Sequence, residues 1–89
     1  MHSKMIEFSK LHRRNDLTEQ ERLRRDELRR EIAEYIAAIE EPYINRLFTA
    51  RYLEGKKWRI VAEIAGGGNK EDSVRVMCMR YTERKTDEQ

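Results

Sequence analysis

The sequence is short of everything that interrupts a helix. It has one proline, Pro42, and four glycines in 89 residues, three of them consecutive. That scarcity excludes a loop-rich chain or a flexible linker and predicts long helices between few breaks. Cysteine occurs once, at Cys78, so no intrachain disulfide can form. A reducing cytoplasm fits, and the apolar neighbours of Cys78 mark it as a small core side chain. After Met1-His2-Ser3-Lys4 no apolar run reaches signal-peptide or membrane-span length, so a soluble, unexported, cytoplasmic protein is expected. A dominant charge sign is missing too: 19 basic residues face 17 acidic ones, leaving +2. This excludes a polyelectrolyte, and any contact with an anionic polymer has to come from the local arrangement of charge.

What the chain has in quantity is charge. Charged residues make up 40% of it, against roughly 25% in an average domain, and such a surface suits long exposed helices. A chain of this length builds one modest core, so a homodimer is expected as a further source of stability. Met5, Phe8 and Leu11 recur three apart, with Ile6 beside them, predicting a short amphipathic helix over 3–13. Asn15-Asp16 reads as a turn. Thr18-Glu19-Gln20-Glu21 is a capping box, in which hydroxyl and carboxylate each accept from the other residue's amide. The helix it opens is expected to run to about Glu40, with Leu28, Ile32, Tyr35 and Ile39 on one stripe and Ile36 beside them. Three partners fit this stripe: the first helix, the C-terminal segment or a second copy.

Pro42 suits the first turn of a third helix, where its missing amide is harmless. Ile44, Leu47, Phe48 and Tyr52 line one face of that helix, and Gly55 is placed to cap its end. A fourth, short helix starts near Lys57 with Trp58, Val61, Ala62 and Ala65 on one side, and Gly66-Gly67-Gly68 ends it. Asn69 is the expected N-cap of a fifth helix whose core side carries Val74, Met77, Cys78 and Tyr81. The predicted fold is therefore all-α: an N-terminal helical hairpin or long helix (1–40), a three-helix helix-turn-helix module (41–85) and a polar tail (86–89).

Helix, Gly-capped turn, short helix, Gly-rich turn, helix is the outline of a helix-turn-helix unit, whose last helix is the one able to enter a major groove. From Leu47 to Gly66 the chain resembles the region-four-like helix-turn-helix of sigma factors, and more closely the small phage and prophage transcription regulators that share that fold. Arg51-Tyr52, Gly55 and Trp58 match the family pattern, and Val61-Ala62 stands in for its Ile-Ala pair. The turn departs from it, because Val74 follows Gly66 by eight positions where the family has about six. The resemblance implies a sequence-specific DNA-binding transcription regulator, with helix 70–84 in the major groove of double-stranded DNA.

At 100° per residue, Asp72, Arg75, Val76, Met79 and Arg80 lie opposite the core stripe of that last helix. Arg75 and Arg80 are the candidates for base or phosphate contact, with Lys70 and Ser73 near the helix start. Lys56, Lys57 and Arg59 cluster where the fourth helix begins, and its positive dipole end adds to their pull on a phosphate. As a bland alternative, all seven are solvated surface groups. Val76 and Met79 fit a DNA face poorly; thymine methyls or a self-association surface account for them.

No other chemistry is suggested. His2 and His12 lack a cysteine partner, so no metal site is expected. Gly66-Gly67-Gly68-Asn69-Lys70 lacks the spacing of a phosphate-binding loop and follows a helix. No carboxylate sits in an apolar stretch that would tune it for acid–base work, so neither enzymatic activity nor a cofactor is expected. Two readings compete with the DNA-binding regulator. One is a protein-interaction adaptor that docks on RNA polymerase or assembles with itself; the other is a DNA-recognition subunit of a phage packaging machine.

Overall fold

The computed structural model describes residues 1–87, and the fold is all-α. Helices α1 (His2–His12), α2 (Glu19–Ala37), α3 (Pro42–Phe48), α4 (Trp58–Ala65) and α5 (Glu71–Asp87) account for most of it. Their Cα envelope measures 42 × 30 × 17 Å, so most helices keep one face in solvent, as the high charge content requires.

The capping box forms as the sequence predicts. The Glu21 amide donates to Thr18 Oγ1 and the Thr18 amide to Glu21 Oε1, both at 3.1 Å. Helix α1 folds back along α2, and ion pairs fix the antiparallel register. Lys4 meets Glu31 at 3.0 Å, Arg24 donates to both oxygens of Glu7 at 2.9 and 3.2 Å, and Arg14 meets Glu21 at 2.7 Å. These pairs lie at the solvent-facing edge, half-buried at most, and contribute little individually; their use is to select the register. Met5 and Phe8, one turn apart, are buried beneath them.

Helix α2 ends at Ala37, three residues short of the expected Glu40. The reason lies on α3. Asn45 Nδ2 donates to Ile36 O at 2.8 Å and Ile39 O at 3.3 Å, holding carbonyls that further helical turns would have satisfied. Ile39 therefore leaves the helix yet stays buried in the core.

Pro42 occupies the first turn of α3, as expected. Beyond Phe48 the helix widens into a π segment, Thr49–Leu53, in which the Glu54 amide reaches back five residues to Thr49 O at 2.9 Å. Thr49 Oγ1 donates to Asn45 O at 2.8 Å, and such back-bonding competes with the regular ladder. Gly55 then reverses the chain with φ +71°.

The triple glycine separates α4 from α5 as two distinct helices. Gly66 caps α4 with φ 70° and ψ −168°, a conformation essentially restricted to glycine. Asn69 does not cap α5. Its side chain turns backward and donates to Gly66 O at 2.7 Å, so the helix begins at Glu71 and Lys70 supplies its first accepting carbonyl, to the Val74 amide. Helix α5 continues through Asp87, so residues 86 and 87 of the expected tail are helical; the last two lie outside the described residues.

One core cluster draws on all five helices. Phe48 is at its centre, with Tyr52 stacked at 5.6 Å, Tyr81 tilted at 5.6 Å and Tyr35 edge-on at 6.3 Å. Leu28, Ile32 and Ile36 enter from α2, and Val74 and Cys78 from α5. Thr82 is buried beside them although the apolar pattern passed over it; its hydroxyl donates to Met79 O at 2.7 Å, which removes the penalty of an unmet buried donor.

Candidate nucleic-acid interface

The outward side of α5 is a ridge formed by Asp72 and Val76, with a hollow on each flank. On the flank facing α3, Ser73, Arg80 and Arg84 line an open depression of about 820 Å³ around Ile44. On the flank facing α1, Arg75 and Met79 line a tighter groove of about 420 Å³, whose far wall carries Met5, Lys10 and Arg13. A smaller hollow of about 290 Å³ adjoins it and adds Lys57 and His12; Arg13, Arg51 and Tyr52 belong to both.

All seven sequence-derived candidates are exposed. The fold divides them about the ridge. Lys57 and Arg75 belong to the α1 flank, Ser73 and Arg80 to the α3 flank. Lys56, Arg59 and Lys70 stand on the surface, and their side chains form no ion pair with the described residues. Arg75 is partly engaged, since its Nη2 donates to Asp72 at 2.8 Å one turn earlier. Glu71 and Asp72 suit the positive end of α5 but oppose an approaching phosphate there.

Arg51 was read only as part of a family motif, yet it is central to the α1 flank. Its guanidinium lies 4.7 Å from the Trp58 ring centre, and Nη1 donates to Lys56 O at 3.1 Å. Nε is buried and has no hydrogen-bond partner among the described residues. Burial, with Arg13 and Arg75 nearby, holds this guanidinium below its ordinary pKa. Lys10 and Arg13 were missed for a related reason. They are unremarkable surface cations of the first helix until α1 is laid against α5.

The same packing accounts for Val76 and Met79. Both are half-buried and line the groove opposite Met5 and Ile6 of their own chain. Val76 also borders the hollow on the α3 flank, so both side chains keep part of their surface open.

Cys78 is 1% exposed, and burial pushes its thiol up to about 11. It behaves as a core side chain, not as a nucleophile. Among the described residues no helix is long and apolar enough to cross a membrane.

No protein-family model matches the chain, and neither does any curated protein or solved structure.

Proposed function

We propose that this chain is a DNA-binding transcription regulator of the phage and prophage type, in which α4 and α5 form a helix-turn-helix and α5 enters the major groove. One observation carries the reading: exposed guanidinium groups flank the outward ridge of α5 on both sides, Arg75 toward α1 and Arg80 with Arg84 toward α3. A helix lying in a groove about 12 Å wide meets a row of phosphates on each side, so cations on both flanks suit it better than cations along the crest. With Arg13, Arg51 and Lys57, the α1 flank concentrates positive charge that the balanced overall composition conceals. Two-fold pairing of the chain would offer two such helices to successive turns of a duplex. The adaptor reading draws on the weak net charge and on Val76 and Met79, which are half-buried beside α1.

The test is fluorescence anisotropy of a labelled duplex titrated at several salt concentrations. Binding at low salt is expected, with log affinity falling linearly against log salt. Arg80→Ala is expected to lower affinity and to flatten the salt slope by about one phosphate contact. Asp72→Asn acts in the opposite direction, because it removes a negative charge and releases Arg75. Absence of binding at low salt, affinity indifferent to salt, or an Asp72→Asn variant that binds more weakly would each overturn the proposal.

A further inference from the structure

The groove between α1 and α5 has features that a phosphate-contacting flank does not need. Its rim holds Lys10, Arg13, Arg51 and Arg75, and no carboxylate lines it, in a chain whose cations and anions are nearly equal in number. Of the four, only Arg75 has a carboxylate partner among the described residues, Asp72 on the crest of α5, so the cations outnumber the anions around this groove. Two buried polar atoms without a hydrogen-bond partner among the described residues, Arg51 Nε and His2 Nδ1, both belong to residues lining this groove. Of the two, Arg51 Nε is a donor, and buried donors are rarely left unmet. Beneath the rim the surface is apolar, with Met5, Tyr52, Trp58, Val76 and Met79. Arg51 itself is held by the π segment, and such segments occur often at functional sites.

We propose that this groove is a binding site for a small organic anion, a carboxylate carrying an apolar body. Its volume of about 420 Å³ falls within the range of small-molecule sites. An inorganic anion would satisfy the guanidinium groups but leave the apolar floor wet, and a neutral apolar molecule would cover the floor while desolvating the rim cations without compensation. Only a ligand with both parts satisfies both surfaces. The carboxylate would accept from Arg51 and from Arg13 or Arg75, and charge-assisted bonds of this kind are the strong ones. The proposal shares Arg13, Arg51 and Arg75 with the phosphate-facing flank of the DNA reading, but its test involves no duplex, so the two can fail separately.

Trp58 is the only tryptophan in the chain and lines the groove, so its emission reports occupancy directly. The full-length protein is titrated with decanoate, and separately with decanol, acetate and inorganic phosphate. Saturable change with decanoate is expected, at an affinity about tenfold or more above that of decanol, with acetate and phosphate weaker still. The double variant Arg13→Gln, Arg75→Gln alters only exposed side chains and is expected to weaken decanoate by about tenfold while its circular dichroism stays native. Ser9→Phe retains every cation but fills the groove, and is expected to abolish the response. Equal affinity for decanol and decanoate would overturn the proposal, as would equal affinity for phosphate. Undiminished decanoate binding in either variant would overturn it as well.

Discussion

Replacing Asn45 tests the claim that α3 decides where α2 stops. Its amide donates to the carbonyls of Ile36 at 2.8 Å and Ile39 at 3.3 Å, and its Oδ1 accepts from Thr49 at 3.3 Å. Asn45→Ala removes the donor and leaves both carbonyls in a partly buried site. Ile36 O keeps the Ile39 amide at 3.0 Å, so the larger loss falls on Ile39 O. A neutral hydrogen bond contributes about 1 kcal/mol net, and one unmet carbonyl adds a comparable penalty, so a loss of about 2 kcal/mol is expected. For a chain of this size that corresponds to a fall in Tm of about 8–16 °C. Asn45→Asp is the sharper variant. It is nearly isosteric, but at neutral pH it sets a carboxylate against the two carbonyl oxygens, so it should be less stable than Asn45→Ala. Part of its stability should return on acidification, as the protonated carboxyl regains a donor. Urea unfolding followed by far-ultraviolet circular dichroism measures all three proteins, with an unchanged m-value confirming that the native surface is retained. If Asn45→Ala stays within about 0.5 kcal/mol of the parent, or Asn45→Asp matches or exceeds Asn45→Ala, the interhelical cap is not what terminates α2.

The remaining predictions concern local structure and titration. Thr18→Ala removes half of the capping box and should destabilise the protein by about 1 kcal/mol in the same urea assay. Gly66→Ala should destabilise by about 1–3 kcal/mol although a Cβ there meets nothing within 4 Å, because the barrier is conformational; Gly66→Asn should not rescue it, since ψ lies far from the left-handed helical region. Cys78 and Tyr52 are pushed up to about 11 and about 12 by burial, above ordinary values of 9.0 and 10.0. Their raised folded-state values mean that the stability they confer is complete below pH 9 and is lost as pH rises toward 11–12, where the unfolded chain has released protons that the native one retains. Tm measured across that range should fall, and Cys78→Ala should shallow the decline. At pH 8 the native thiol should resist a disulfide reagent until urea is added.

How far the sequence reached follows from the range of the interactions involved. The capping box at Thr18, proline in the first turn of α3, the chain reversal at Gly55 and the break at Gly66–Gly68 each depend on groups within a few residues of one another. They were legible for that reason, as were the buried stripes through Leu28, Ile32, Phe48, Val74 and Cys78. Asn69 differs from the expected cap because its side chain is used as a donor to Gly66 O, where capping α5 would have required its oxygen to accept from an amide of the first turn. Thr82 carried no apolar signal, since its hydroxyl is satisfied within its own helix.

The candidate site was only half visible. Arg75 and Arg80 follow from helical phase and Lys57 from its place at the start of α4, and all three are exposed, because side-chain direction on a helix is a local property. Lys10, Arg13 and Arg51 gained significance only when α1 folded along α2 and came to rest beside α5, bringing together residues more than sixty positions apart. By itself, the sequence determined which segments coil, where most of them begin and which faces they bury, since backbone hydrogen bonds and side-chain periodicity act over a turn or two. The tertiary structure alone decided where α2 ends and which cations share a groove. Those outcomes depend on packing between distant helices, and no short-range pattern encodes it.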